Sequence, residues 1–108
     1  MRTVVRPVTM LCTYRPRKGK EKALLALVKK HWRTLNKIGL ATADPATLYR
    51  ATDKESGRAY LVEIFSWRDS QASAVAHQTP EVLAIWEPMA RSMESMQLAI
   101  VEPIRGLA

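Results

Sequence analysis

The segment Ala59 to Trp67 constrains this chain more than any other. Read as a strand, it points Tyr60, Val62 and Ile64 to one side and Leu61, Glu63, Phe65 and Trp67 to the other. A strand that is apolar on one side needs one cover, whereas this one needs cover on both faces. The chain has 108 residues, the length of one domain spanning 1–108. One apolar set therefore packs against the chain's own helices. The other most simply packs against the sheet of a second copy, so a homodimer is expected.

The remaining elements fall around that strand. Val8 to Tyr14 alternates, with Val8, Met10, Cys12 and Tyr14 on one side and Thr9, Leu11 and Thr13 on the other, and predicts a first strand. Lys20 to Ile38 repeats Leu24, Leu27, Val28, His31, Leu35 and Ile38 at helical spacing, opposite Lys22, Lys29, Lys30, Arg33 and Lys37. Gly39 suits the left-handed position that ends such a helix. Ala46 to Thr52 and Ala59 to Trp67 form a hairpin around the polar tip Asp53 to Arg58. Asp69 or Ser70 is placed to cap a short helix through His77, and Thr79-Pro80 restarts a helix that carries Val82, Leu83, Ile85, Trp86, Met89 and Met93. Pro88 lies inside that pattern and predicts a kink or restart near Glu87. Ser95 to Glu102 alternates again as a last strand. The order βαββαβ is that of an α+β, ferredoxin-like fold, an antiparallel sheet of four strands with helices on one face.

Composition narrows the partners. Lys and Arg number 17 against 10 Asp and Glu, a net charge of +7 that favours an anionic partner without naming one. Lys22, Lys29, Lys30, Arg33 and Lys37 read as the solvated face of a helix, while Arg2, Arg6, Arg15, Arg17, Lys18 and Lys20 cluster around the first strand and its exit. No RNA-binding signature or stacking aromatic run accompanies them, so nucleic acid is not the expected partner. The single cysteine, Cys12, cannot form an internal disulfide, and His31 and His77 give no zinc-ligand spacing, so no metal is expected. No apolar run approaches the roughly 20 residues of a membrane helix. Arg and Pro interrupt the first residues where a signal peptide is apolar, so a cytoplasmic protein is expected. The sequence has no Ser-His-Asp triad, glycine-rich phosphate loop or nucleotide fingerprint.

Glu63-Ile64-Phe65-Ser66-Trp67-Arg68, followed by Ser70, Ala72, Ala76-His77, Thr79-Pro80 and Ile85-Trp86, resembles the core of the antibiotic biosynthesis monooxygenase family. The resemblance implies a dimeric α+β barrel. Members of that family include cofactor-free oxygenases of quinols and polyketide phenols, haem-degrading enzymes and many proteins of unknown activity. The haem-degrading branch uses an Asn on the first strand, and Val8 to Tyr14 contains none, so haem degradation is not implied. Two further departures are the loop Gly39 to Pro45, where many members have an acidic residue, Pro and Gly, and Glu81, where many have a second His.

Each candidate site residue has a structural reading beside its functional one. His77 either caps carbonyls at a helix end or reaches over a pocket as a proton shuttle. Glu63, held beside aromatic surface, either pairs with an Arg or serves as a base. Trp67 and Trp86, with Phe65, are core residues or the walls of an aromatic site. Tyr14, Tyr49 and Tyr60 sit at exposed strand ends or hydrogen-bond a phenolic ligand. His31 reads as a satisfied histidine at the core boundary, and Cys12 as a small buried strand residue. The expected pocket lies between the sheet and Asp69 to Met93, with Trp67, His77 and Trp86 as its lining and Glu63 nearby.

Two classes of function follow. The first is a cofactor-independent monooxygenase of an aromatic or quinol-type small molecule, with His77 or Glu63 as the base and Trp67, Trp86, Tyr14 and Phe65 around the substrate. The second is a non-enzymatic ligand-binding or regulatory protein that uses the same apolar pocket.

Overall fold

The computed structural model describes residues 5–106. Arg2, counted above in the basic cluster, lies outside them. The elements are β1 (Val8–Pro16), α1 (Glu21–Lys37), β2 (Thr47–Thr52), β3 (Ala59–Trp67), α2 (Ala72–Ala76), α3 (Pro80–Ser92) and β4 (Met93–Ile100). The strands form one antiparallel sheet in the order β2-β3-β1-β4. This is the α+β, ferredoxin-like arrangement.

Register decides which residues meet the helices. Tyr14 pairs with Leu61, Cys12 with Glu63 and Met10 with Phe65, so these residues share one face. On that face Cys12, Tyr14, Leu61, Glu63, Phe65 and Trp67 are all buried. Helix α1 lays Leu24, Val28, His31 and Leu35 against them, and α3 adds Val82 and Met89. Leu11, Val62 and Ile64 occupy the opposite face with Tyr60, which carries the Arg15 guanidinium 4.5 Å above its ring. That face is half-buried, and Tyr49 at its β2 margin is exposed.

Local chemistry fixes the connections. Gly39 takes a φ of 79° as α1 ends. Trp32 and Asn36 then pin the following loop by donating to the carbonyls of Thr42 and Ala41. At the hairpin tip, Asp53 Oδ1 accepts from the amides of Glu55 and Ser56, bonds that hold its carboxyl below the usual aspartate range.

Three expectations need correction. Helix α3 runs through Pro88 to Ser92 as one element, so it does not restart near Glu87. The carbonyl that Pro88 leaves unpaired belongs to Ala84, an exposed residue that water can reach. Val82 and Met89 meanwhile anchor both sides of the proline in the core, so packing outweighs the local defect. The last strand begins at Met93, not Ser95, because α3 passes into β4 with no loop and Met93 already has extended backbone. The short helix begins at Ala72. Asp69 caps the turn before it by accepting from the Gln71 amide, 2.9 Å.

Candidate functional site

A cavity of about 250 Å³ opens between the helix-covered face of the sheet and the α2–α3 region. Strand β1 contributes Met10, Cys12 and Tyr14, and β3 contributes Phe65 and Trp67. His31 enters from α1, Ser73 and His77 from α2 and its end, and Trp86, Met89 and Ala90 from α3. Met93, Met96 and Leu98 of β4 complete the wall. Every methionine of the described residues faces this space, and no Lys or Arg among them does.

Five of the six sequence candidates, Tyr14, Phe65, Trp67, His77 and Trp86, line the cavity. Glu63 sits one shell behind it, wholly buried. Its partner is not an arginine. Glu63 Oε1 accepts the Tyr14 hydroxyl at 2.7 Å and meets His31 Nδ1 at 2.8 Å. Oε2 is buried with no hydrogen-bond partner among the described residues.

His31 and Tyr14 depart from their sequence readings. His31 is 4% exposed and central, not at the boundary. Tyr14 is a buried residue, not an exposed strand end. The Trp86 indole N–H donates to His31 Nε2 at 2.8 Å. Indole nitrogen can only donate, so Nε2 accepts and the imidazole proton sits on Nδ1, facing Glu63. Burial, followed by the charge of Glu63, holds the Tyr14 hydroxyl far above the usual tyrosine range, and it stays a donor.

His77 both caps a carbonyl at a helix end and lines the cavity. It is the C-cap residue of α2, and its Nδ1 lies 2.7 Å from the Ser73 carbonyl. A carbonyl only accepts, so Nδ1 carries the proton and the neutral ring offers Nε2 as a lone-pair acceptor. Trp86 packs edge-on against His77 with ring centroids 4.8 Å apart. His31 Nε2 is already taken, so His77 Nε2 is the imidazole acceptor left to a molecule in the cavity.

Cys12 is 2% exposed. Burial pushes its thiol up to about 12, opposed by the Tyr14 hydrogen bond and assisted by the Glu63 charge. The thiolate is the reactive form. The folded protein is therefore expected to resist iodoacetamide at pH 8 and to alkylate at Cys12 once urea unfolds it. Rapid labelling of the native state, read by mass spectrometry, would contradict this burial.

No protein-family model and no curated protein matches the sequence. Solved structures do. Rv0793 from Mycobacterium tuberculosis superposes with a TM-score of 0.69 at 17% identity, covering 95% of this chain and 100% of that one. SnoaB, a cofactor-independent oxygenase from Streptomyces nogalater, gives 0.70 at 14% identity over 94% and 96% of the two chains. A Bacteroides thetaiotaomicron protein named for the antibiotic biosynthesis monooxygenases gives 0.66 at 16% identity, with 95% of each chain covered. This is the antibiotic biosynthesis monooxygenase fold. In this chain the fold carries its cavity between sheet and helices, with a buried Glu63–His31 pair behind the cavity and His77 at its side.

Proposed function

We propose that this chain is a cytoplasmic, homodimeric member of the antibiotic biosynthesis monooxygenase family. It binds a small aromatic hydroxyl compound of the quinol type and oxygenates it without a cofactor. The observation that carries this reading is a cavity walled by rings and thioethers whose free imidazole acceptor is His77 Nε2. Roughly 150 Å³ of apolar cavity accommodates benzene, so about 250 Å³ suits a flat molecule of about two fused rings. Among the described residues the wall has no Lys or Arg despite the net charge of +7, which favours an uncharged ligand over a carboxylated or phosphorylated one. His77 takes a proton from the ligand, the electron-rich anion so formed adds oxygen at a ring carbon to give a hydroperoxide, and loss of water from it breaks the O–O bond, so that quinol and dioxygen give a hydroxyquinone and water. SnoaB, a cofactor-independent oxygenase with the same fold, supports the same chemistry.

An oxygen electrode tests this reading. Protein-dependent oxygen uptake is expected with 1,4-naphthohydroquinone and related quinols in the presence of a metal chelator. Binding of these compounds without uptake would replace the enzyme with the binding protein, which uses the same cavity.

The dimer rests on the sheet face that carries Leu11, Val62 and Ile64 without helices over it. The radius of gyration is 15.0 Å, against about 13 Å for a compact domain of this length. A second sheet on that face completes a two-sheet core. Sedimentation is expected to give twice the 12.2 kDa mass of one chain, and Val62→Lys is expected to halve it. A wild-type monomer at micromolar concentration would sink the dimer.

A further inference from the structure

The proposed chemistry uses His77 and leaves the buried pair Glu63–His31 without a task. We propose that His31 is a positioning residue: held by Glu63, it clamps the Trp86 indole, and the indole in turn holds His77 in place at the cavity. The function of that placement rests on the reading of His77 given above, but the placement itself does not.

The hydrogen bonds run in one direction only. Trp86 Nε1 donates to His31 Nε2 at 2.8 Å, and His31 Nδ1 then donates to Glu63 Oε1, also at 2.8 Å. The Tyr14 hydroxyl donates to the same oxygen at 2.7 Å. Turning the imidazole over to the other tautomer would set its Nε2–H against the indole N–H and leave Glu63 facing a lone pair. Both bonds would be lost together. The donors and acceptors therefore fix one ring orientation, and Phe65, edge-on to His31 at 5.4 Å, packs against it.

The chain joins β1, β3, α1 and α3 through four side chains, and only its last member reaches His77. His77 is itself exposed, and its own tether is the single Nδ1 bond to the Ser73 carbonyl. The ring packed on it is Trp86, at 4.8 Å and an interplanar angle of 66°. Trp86 is half-buried, so its indole N–H bond to His31 is what ties its orientation to the core. A His at this position therefore does more than fill the α1 stripe, where a leucine would pack as well.

Proton NMR of the ligand-free protein tests the placement without any ligand. The His77 ring protons sit in the ring current of Trp86, and the Trp86 indole N–H is bonded to an imidazole nitrogen. His31→Leu is expected to move both sets of signals, and His31→Gln, which can accept from Trp86 and donate to Glu63, is expected to restore them. If His31→Leu fails to fold, His31→Phe, which keeps a planar ring in the core but cannot accept from Trp86, leaves the Trp86 ring in place and is expected to move the same signals. His77 signals unchanged in a folded variant lacking the Trp86–His31 bond would overturn the proposal. Binding of 2-naphthol, read by tryptophan fluorescence, is the second arm. His31→Leu is expected to weaken it about tenfold, the weight of one lost hydrogen bond, and His31→Gln to hold it within about twofold. Failure of the wild-type protein to bind 2-naphthol would count against the proposed ligand class and leave the NMR result to decide the positioning role.

Discussion

Replacing His77 by alanine is expected to lower quinol turnover by roughly 10²- to 10⁴-fold, the range supplied by a positioned proton acceptor, while stability changes by no more than about 1 kcal/mol. The two effects separate because of where the ring sits. His77 is exposed, and among the described residues its ring makes one hydrogen bond, to the carbonyl of Ser73 in a five-residue helix, so water replaces that bond when the ring is removed. The cavity keeps its tryptophans and methionines but loses the His77 Nε2 acceptor, so 2-naphthol is expected to bind about tenfold more weakly, the weight of that one hydrogen bond. Rates from an oxygen electrode and midpoints from urea unfolding check both halves. Turnover that survives His77→Ala would remove His77 as the proton acceptor.

The second large effect is on stability. Glu63→Leu is expected to destabilise the fold by about 2–6 kcal/mol before the leucine's own burial offsets part of the loss. It strands two buried donors, the Tyr14 hydroxyl and His31 Nδ1–H, each at about 1–3 kcal/mol. A double-mutant cycle makes the expectation specific. Tyr14→Phe should cost less when added to Glu63→Leu than it costs alone, because the hydroxyl has then already lost its acceptor. Coupling below about 0.5 kcal/mol, with both unfolding curves taken at one protein concentration because of the proposed dimer, would mean that the two side chains do not share that bond.

Periodicity carried most of the fold. The two-sided alternation of β3 and the helical stripe from Leu24 to Leu35 reappear as one buried face each, because burial is what those patterns encode. At Pro88 the sequence shows the local cost of a missing amide, which argues for a restart, but not the anchoring of Val82 and Met89 that keeps α3 one element. The β4 boundary moved because a direct helix-to-strand junction has no turn signal to announce it.

The cavity was legible at Trp67, His77 and Trp86, and His31 was the residue missed. A signal for it existed. His31 falls on the same helical stripe as the buried Leu24, Val28 and Leu35, and Glu63 falls on the buried side of its strand. Two polar groups on buried faces of different elements each need a partner, and each is the simplest partner for the other. The Tyr14 bond and the methionine wall carried no comparable signal, since strand register and the direct entry into β4 bring those residues together only in three dimensions.

That methionine wall determines how selective the site is. Met10, Met89, Met93 and Met96 border the cavity, and an unbranched thioether turns about three bonds where leucine or isoleucine presents a fixed outline. A lining of this kind is compliant: it reshapes around a ring that gains a methyl group or a fused edge at the cost of a rotamer change, not a steric clash. Discrimination between ligands then falls to polarity. A hydroxyl near His77 Nε2 meets an acceptor, and the same hydroxyl turned toward Met89 or Leu98 meets none. For the proposed ligands, the site is therefore expected to sort related ring systems by the position of their oxygen and to be permissive toward their outline.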